Sequence, residues 1–151
     1  MNSQYEDLLE WINALGIKHQ ELGGFAICPF IRKVPESRFI PFTDRIVPPD
    51  HINFDIIIYH VPDEYSESRM EEICKEYNRA YPHLIFLADH KDRNTLINGI
   101  KTNNGKHNFI LCQPKARLRA ARKSLARTNY YKFWETEYLK EVLDEDIDII
   151  L

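Results

Sequence analysis

A chain of 151 residues with 44% apolar and 28% charged residues has the length and balance of one ordinary globular domain, which buries roughly 70% of its unfolded surface. Its formal net charge of −3 argues against a general polyanion binder, because counterion release needs a dominant basic charge, so nucleic acid is not an expected partner. No apolar run approaches the roughly 18–20 residues that cross a bilayer, which leaves no membrane-spanning helix to expect.

The segment Met1 to Leu15 is amphipathic and acidic, unlike a basic signal peptide, so a cytoplasmic location is expected. Three cysteines, Cys28, Cys74 and Cys112, form an odd set with no CxxC pair, which fits a reducing compartment. Ser3 with Glu6 makes a capping box, and Tyr5, Leu8, Leu9, Ile12 and Leu15 recur at helical spacing. The pattern predicts a helix from about Gln4 to about Glu21, ended by Gly23-Gly24. Phe25 to Lys33 follows, an apolar run holding Cys28-Pro29-Phe30 with Arg32 and Lys33 behind it. Val34 to Asp50 carries Pro35, Pro41, Pro48 and Pro49, which predicts an irregular segment with at most a short edge strand at Arg38 to Phe42.

A β-branched run from Asn53 to His60 predicts a strand, and Pro62-Asp63 breaks it. Met70, Ile73, Cys74 and Tyr77 share one face of a helix predicted from about Ser66 to Tyr81. A second strand is expected over His83 to Ala88, then a polar loop to Lys106 with a turn at Asn103-Asn104-Gly105, then a third strand over Phe109 to Cys112. Pro114 can open a helix that runs to about Arg127. A fourth helix capped by Thr128-Asn129 would place Tyr131, Trp134, Tyr138 and Val142 on one face. Ile147 to Leu151 reads as a last edge strand or a frayed tail. The order predicts a single α+β domain, a two-layer sandwich with a ferredoxin-like split β–α–β unit and extra terminal helices; a thioredoxin-like sheet is the alternative.

Strand polarity then groups residues that are far apart in sequence. Two parallel strands end at one edge, at His60 and at Asp89-His90, and an antiparallel third strand starts there at His107-Asn108. Alternate strands lie about 10 Å apart, within reach of a shared ligand. Cys28 would join this rim if its segment folds over it. A thiolate with two or three imidazoles suits zinc, iron or copper, and Cys-Pro can supply an axial thiolate to haem, with Phe30 among the apolar residues against the macrocycle. A lone cysteine in an apolar run is more often a packed small hydrophobe, and a nucleophilic or redox thiol is a further reading of Cys28. Cys74 and Cys112 read as core.

Short motifs give one resemblance. Cys28-Pro29-Phe30, Ile56-Ile57-Ile58-Tyr59-His60 and Ile85-Phe86-Leu87-Ala88-Asp89-His90 resemble, in order, a group of uncharacterised bacterial proteins with a Cys-Pro-Phe segment after an N-terminal helix and two strand-end histidines. The usual His-Pro pairs of that group stand here as His60-Val61-Pro62 and His90-Lys91. The resemblance implies no activity; it groups Cys28 with His60 and His90.

The reading that follows is a small cytosolic enzyme, metal- or thiol-dependent, that modifies a small polar or anionic substrate by redox or Lewis-acid chemistry. Cys28, His60, His90 and His107 would be metal ligands or acid–base groups, and Asp89 would orient a histidine. Arg32, Lys91 and Arg93 would hold the substrate. Two alternatives stand beside it: a non-catalytic binding or adaptor module using the basic helix 115–127, and a thioredoxin-like protein with one catalytic cysteine. The acidic residues Asp144, Glu145, Asp146 and Asp148 could pair with that basic face. A homo-oligomer is compatible with all of these.

Overall fold

A four-stranded sheet organises the molecule, and its two inner strands explain the layering. The computed structural model describes residues 3–28, 34–43, 45–46, 54–134 and 136–143. Strand β4 (Ile57–Val61) buries Ile57, Tyr59 and Val61 on one face and Ile58 on the other. Strand β8 (Asn108–Pro114) does the same with Ile110 and Cys112 against Phe109. A strand that is apolar on both sides needs cover on both sides. Helix α2 (Glu67–Ala80) covers the first face with Met70, Ile73 and Cys74, and helix α1 (Ser3–Leu15) covers the second with Leu8 and Ile12. The sheet therefore has helices on both faces, one layer more than the pattern of elements suggested.

The sheet order is β3 (Phe39–Pro41), β4, β8, β5 (Leu84–Asp89). Strand β8 runs antiparallel to both β4 and β5, so β4–α2–β5 is a split β–α–β unit with β8 between its parallel strands. The α+β class holds. The place beside β4 is taken by β3, an upstream segment parallel to it, so the sheet does not reproduce the ferredoxin-like pattern in detail. The short edge strand expected near Arg38 to Phe42 is this β3.

Helix α2 starts where its cap predicts, with Ser66 Oγ accepting from Arg69 N at 3.1 Å. Its Asn78 reaches the outer edge of β5: Phe86 N donates to Asn78 Oδ1 at 2.7 Å, and Asn78 Nδ2 donates to Phe86 O at 3.1 Å. Helix α1 is shorter than its apolar spacing suggested. It stops at Leu15, and Gly16 N donates back to Ile12 O and Asn13 O. Beyond it, β1 (Lys18–His19) turns back on β2 (Phe25–Ala26) through a 3-10 turn closed by Gly23, whose φ of +69° favours glycine.

The loop after β5 contains a small hairpin, β6 (Leu96–Ile97) with β7 (Ile100–Lys101). Asn98-Gly99 forms its tip with φ of 47° and 82°, the positive pair that a tight hairpin turn requires. Helix α3 (Lys115–Ala126) follows β8 directly. The single helix expected after Thr128-Asn129 is instead a 3-10 turn at Tyr130–Phe133 and then α4 (Thr136–Leu143). No helix among the described residues is long and apolar enough to cross a membrane. Phe30, Arg32, the acidic residues after 143, the strand expected at Ile147 to Leu151 and the side chain of Tyr138 lie outside the described residues.

Candidate functional site

The histidine rim forms, but the pleat divides it. His60 lies opposite Phe109 in the β4–β8 pair, and Asp89 lies opposite the same Phe109 in the β5–β8 pair, so the three strand ends do meet at one edge. Side chains alternate between faces along a strand. His60 shares the face of Ile58 and Phe109, under α1, whereas His90 follows Phe86 and Ala88 toward the α2 side. His60 and His107 come together, with ring centroids 5.6 Å apart and rings nearly perpendicular. His90 does not join them.

On the α2 side, His90 is buried and both ring nitrogens are engaged. Nδ1 accepts from Asp92 N at 3.1 Å, which leaves Nε2 to donate to Tyr65 O at 2.8 Å. These bonds fix the loop before α2, so His90 acts as a structural pin. Asp89, 5% exposed, accepts from Asn103 Nδ2 at 2.6 Å and from Asn104 N at 3.2 Å. Burial raises its carboxyl above the usual range, and the asparagine bonds oppose that shift. Asp89 thus anchors the 103–104 turn, and among the described residues it bonds to no histidine. Lys91 N donates to Asn108 Oδ1 at 2.9 Å. Arg93 lies among Glu67, Glu71 and Glu141, clamping α2 to α4, so it is already surrounded by carboxylates.

On the α1 side the partner that sequence reasoning missed is Asp7. His107 Nε2 donates to Asp7 Oδ2 at 2.7 Å, across 100 positions of sequence, and Lys106 Nζ stands 3.8 Å from the same carboxylate. The His107 bond is the main reason the Asp7 carboxyl lies below its ordinary range. The one local signal was helical spacing: Asp7 precedes Trp11 by one turn, and Trp11 stacks on Phe109 at 6.0 Å. His60 is held between Phe39 at 5.8 Å and Phe109 at 6.1 Å. Its Nε2 is buried and has no hydrogen-bond partner among the described residues. Burial first, and then the neighbouring His107, push its pKa down, while Asp63 opposes. The imidazole is therefore kept neutral among aromatic rings.

Cys28 lies at the other end of β4. Its N–H donates to Leu15 O at 3.0 Å, and its side chain packs against a cluster of Leu15, Leu22, Ile27 and Ile97. It lines a cavity of about 450 Å³ together with Asp55 and Ile56, the residues just before β4. From Ile56 to His60 a strand rises about 13 Å. The Cys-Pro segment therefore does not bring Cys28 to the histidine rim. Among the described residues no three His, Cys, Asp or Glu side chains are grouped to hold a metal ion. Cys74 and Cys112 are buried on the α2 face, and burial pushes each thiol up to about 12, as core cysteines should be.

The cavity has three walls. The apolar stripe of α3, Leu118, Ala121 and Leu125, forms one. The aromatic residues Tyr130, Tyr131 and Trp134 form the second, tilted against one another with centroids 4.9 to 5.5 Å apart. Tyr130 Oη donates to Ile27 O and so ties this wall to the Cys28 segment. The third wall carries the charges. Arg117 Nη1 donates to Asp55 Oδ1 at 2.5 Å, and Arg122, 6% exposed, donates through Nη2 to Val142 O at 2.9 Å. Arg117 and Arg122 were legible as part of a basic helix; their convergence on Cys28 and an aromatic cluster was not. Compared with family models, with curated proteins and with solved structures, the chain matches none.

Proposed function

We propose that this chain binds a small organic molecule in the cavity between α3, the Tyr130–Phe133 turn and the start of β4. The observation that carries this reading is the cavity itself: about 450 Å³, walled mainly by apolar and aromatic side chains, with a few polar groups at one side. Ligand sites typically have roughly 300–1,000 Å³ and this composition. The reading keeps the binding alternative that used helix 115–127 and gives it a small organic ligand. The cavity reading draws on Cys28 without the histidines, because Cys28 lines the cavity at the end of β4 away from His60.

The test is saturable binding of anilinonaphthalene sulfonate, followed by its fluorescence. One site per chain is expected, and Ala121→Phe, which places a ring in the cavity, should weaken it by about tenfold or more. Binding that never saturates, or that Ala121→Phe leaves unchanged, overturns the proposal. Far-ultraviolet circular dichroism of the variant confirms that the loss is not unfolding.

A further inference from the structure

We infer that the ligand is an aromatic carboxylate, and that Asp55 occupies its anion site until it arrives. This inference rests on the cavity being a binding site and adds its chemistry.

Arg117 lies on the first turn of α3, and Asp55 lies just before β4, 62 positions away. The two meet at the cavity wall, with Nη1 and Oδ1 2.5 Å apart and side chains 53% and 63% exposed. An exposed pair of this kind contributes little to stability. Exchanging one carboxylate for another on the same guanidinium therefore costs little. The planar guanidinium fork matches a carboxylate in two parallel bonds, so an incoming acid can make contacts as good as those it displaces. Asp55 shows which chemistry the position accepts, because a carboxylate already sits there.

The rest of the wall fixes what the carboxylate is attached to. Tyr130 and Trp134 lie at 57° to one another and Tyr131 and Trp134 at 70°, so the wall presents ring edges and faces at angles. Aromatic pairs favour such tilted arrangements, and a flat ring entering between this wall and Ala121 continues the pattern. Among the described wall residues, two are cationic (Arg117 and Arg122) and one anionic (Asp55), in a chain whose overall charge is −3. When the ligand displaces Asp55, the acid gains Arg117, and the freed Asp55 carboxylate, 63% exposed, turns to water.

The experiment compares 2-naphthoate with its neutral isostere 2-naphthamide on the full chain, by titration calorimetry. Naphthoate should bind a few-fold tighter than naphthamide. Arg117→Gln should erase that difference, and Asp55→Asn should tighten naphthoate while leaving naphthamide unchanged. Both substitutions fall on exposed side chains, so the fold should be unaffected. If both probes bind equally and Ala121→Phe blocks both, the carboxylate inference is wrong and the cavity reading stands. If neither probe binds, or Ala121→Phe blocks neither, the cavity reading falls and takes this inference with it.

Discussion

The two ends of strand β4 are built from similar parts and do different things. At the His60 end, Phe39, His60, His107 and Phe109 pack with centroids 5.6 to 6.1 Å apart. At the Ile56 end, Tyr130, Tyr131 and Trp134 pack at comparable spacing, 4.9 to 5.5 Å. The difference lies in the covering helix. Helix α1 lays Leu8 and Ile12 over the first end, and the histidines become part of a packed face. At the second end the α3 stripe, the aromatic wall and the Cys28 segment leave about 450 Å³ between them. The histidines that converge at one end of the strand are taken up in aromatic packing, whereas the cavity lies at the other end.

That contrast can be broken or sharpened by substitution. The largest effect is expected for Phe109→Ala. Phe109 is fully buried and touches Trp11, Phe39, His60 and His107, so its loss should cost about 3–5 kcal/mol in urea unfolding. A cost below about 1 kcal/mol would mean that the His60 end is not tightly packed.

The next effect is on pH dependence. The folded-state pKa of His60 is depressed, chiefly by burial, so the unfolded chain takes up this proton first. Its contribution to stability is complete above the ordinary histidine value of about 6.5 and is lost as pH falls below it toward the folded-state value. One such proton sets a limiting slope of about 1.4 kcal/mol per pH unit. His60→Phe, which suits the surrounding rings, should flatten the fall in urea midpoint between about pH 7 and pH 5. An unchanged slope would show that another group controls it.

A smaller effect is expected at the cavity. Ala121→Phe fills open space, so stability should change by no more than about 1 kcal/mol even as probe binding is lost. The smallest effect is that of Asp7→Asn. The carboxyl of Asp7 is held below its ordinary range mainly by His107, so the bond helps above about pH 4 and fades as the pH drops through that value. The variant should melt slightly lower than the parent at neutral pH and identically in acid. A difference that persists at low pH would point to packing instead.

Much of the scaffold was legible because local signals agreed. Ser66 with Met70, Ile73 and Cys74 located α2, the β-branched run located β4, and polarity alone brought His60, Asp89 and His107 to one edge. What failed were questions of register and distance. Whether His90 faces the same side as His60 depends on how β4 and β5 each pair with β8, and no residue in either strand encodes that alone. Helix α1 was drawn too long because Gly23-Gly24 is a stronger visible stop than Gly16. The Asn98-Gly99 hairpin was overlooked beside the louder Asn103-Asn104-Gly105. The company of Cys28 was set by the turn back from β1 to β2, a long-range consequence of where α1 ends.

The Asn78 carboxamide has a consequence for association. Strand β5 is one of the two outer strands of the sheet, and an outer strand offers free amide and carbonyl groups to any passing chain. Asn78 meets both groups of Phe86 at the middle of that strand, as a neighbouring strand would. A helix-borne amide so serves as a fifth strand one residue long. Growth of the sheet by strand addition along β5 is interrupted at its centre.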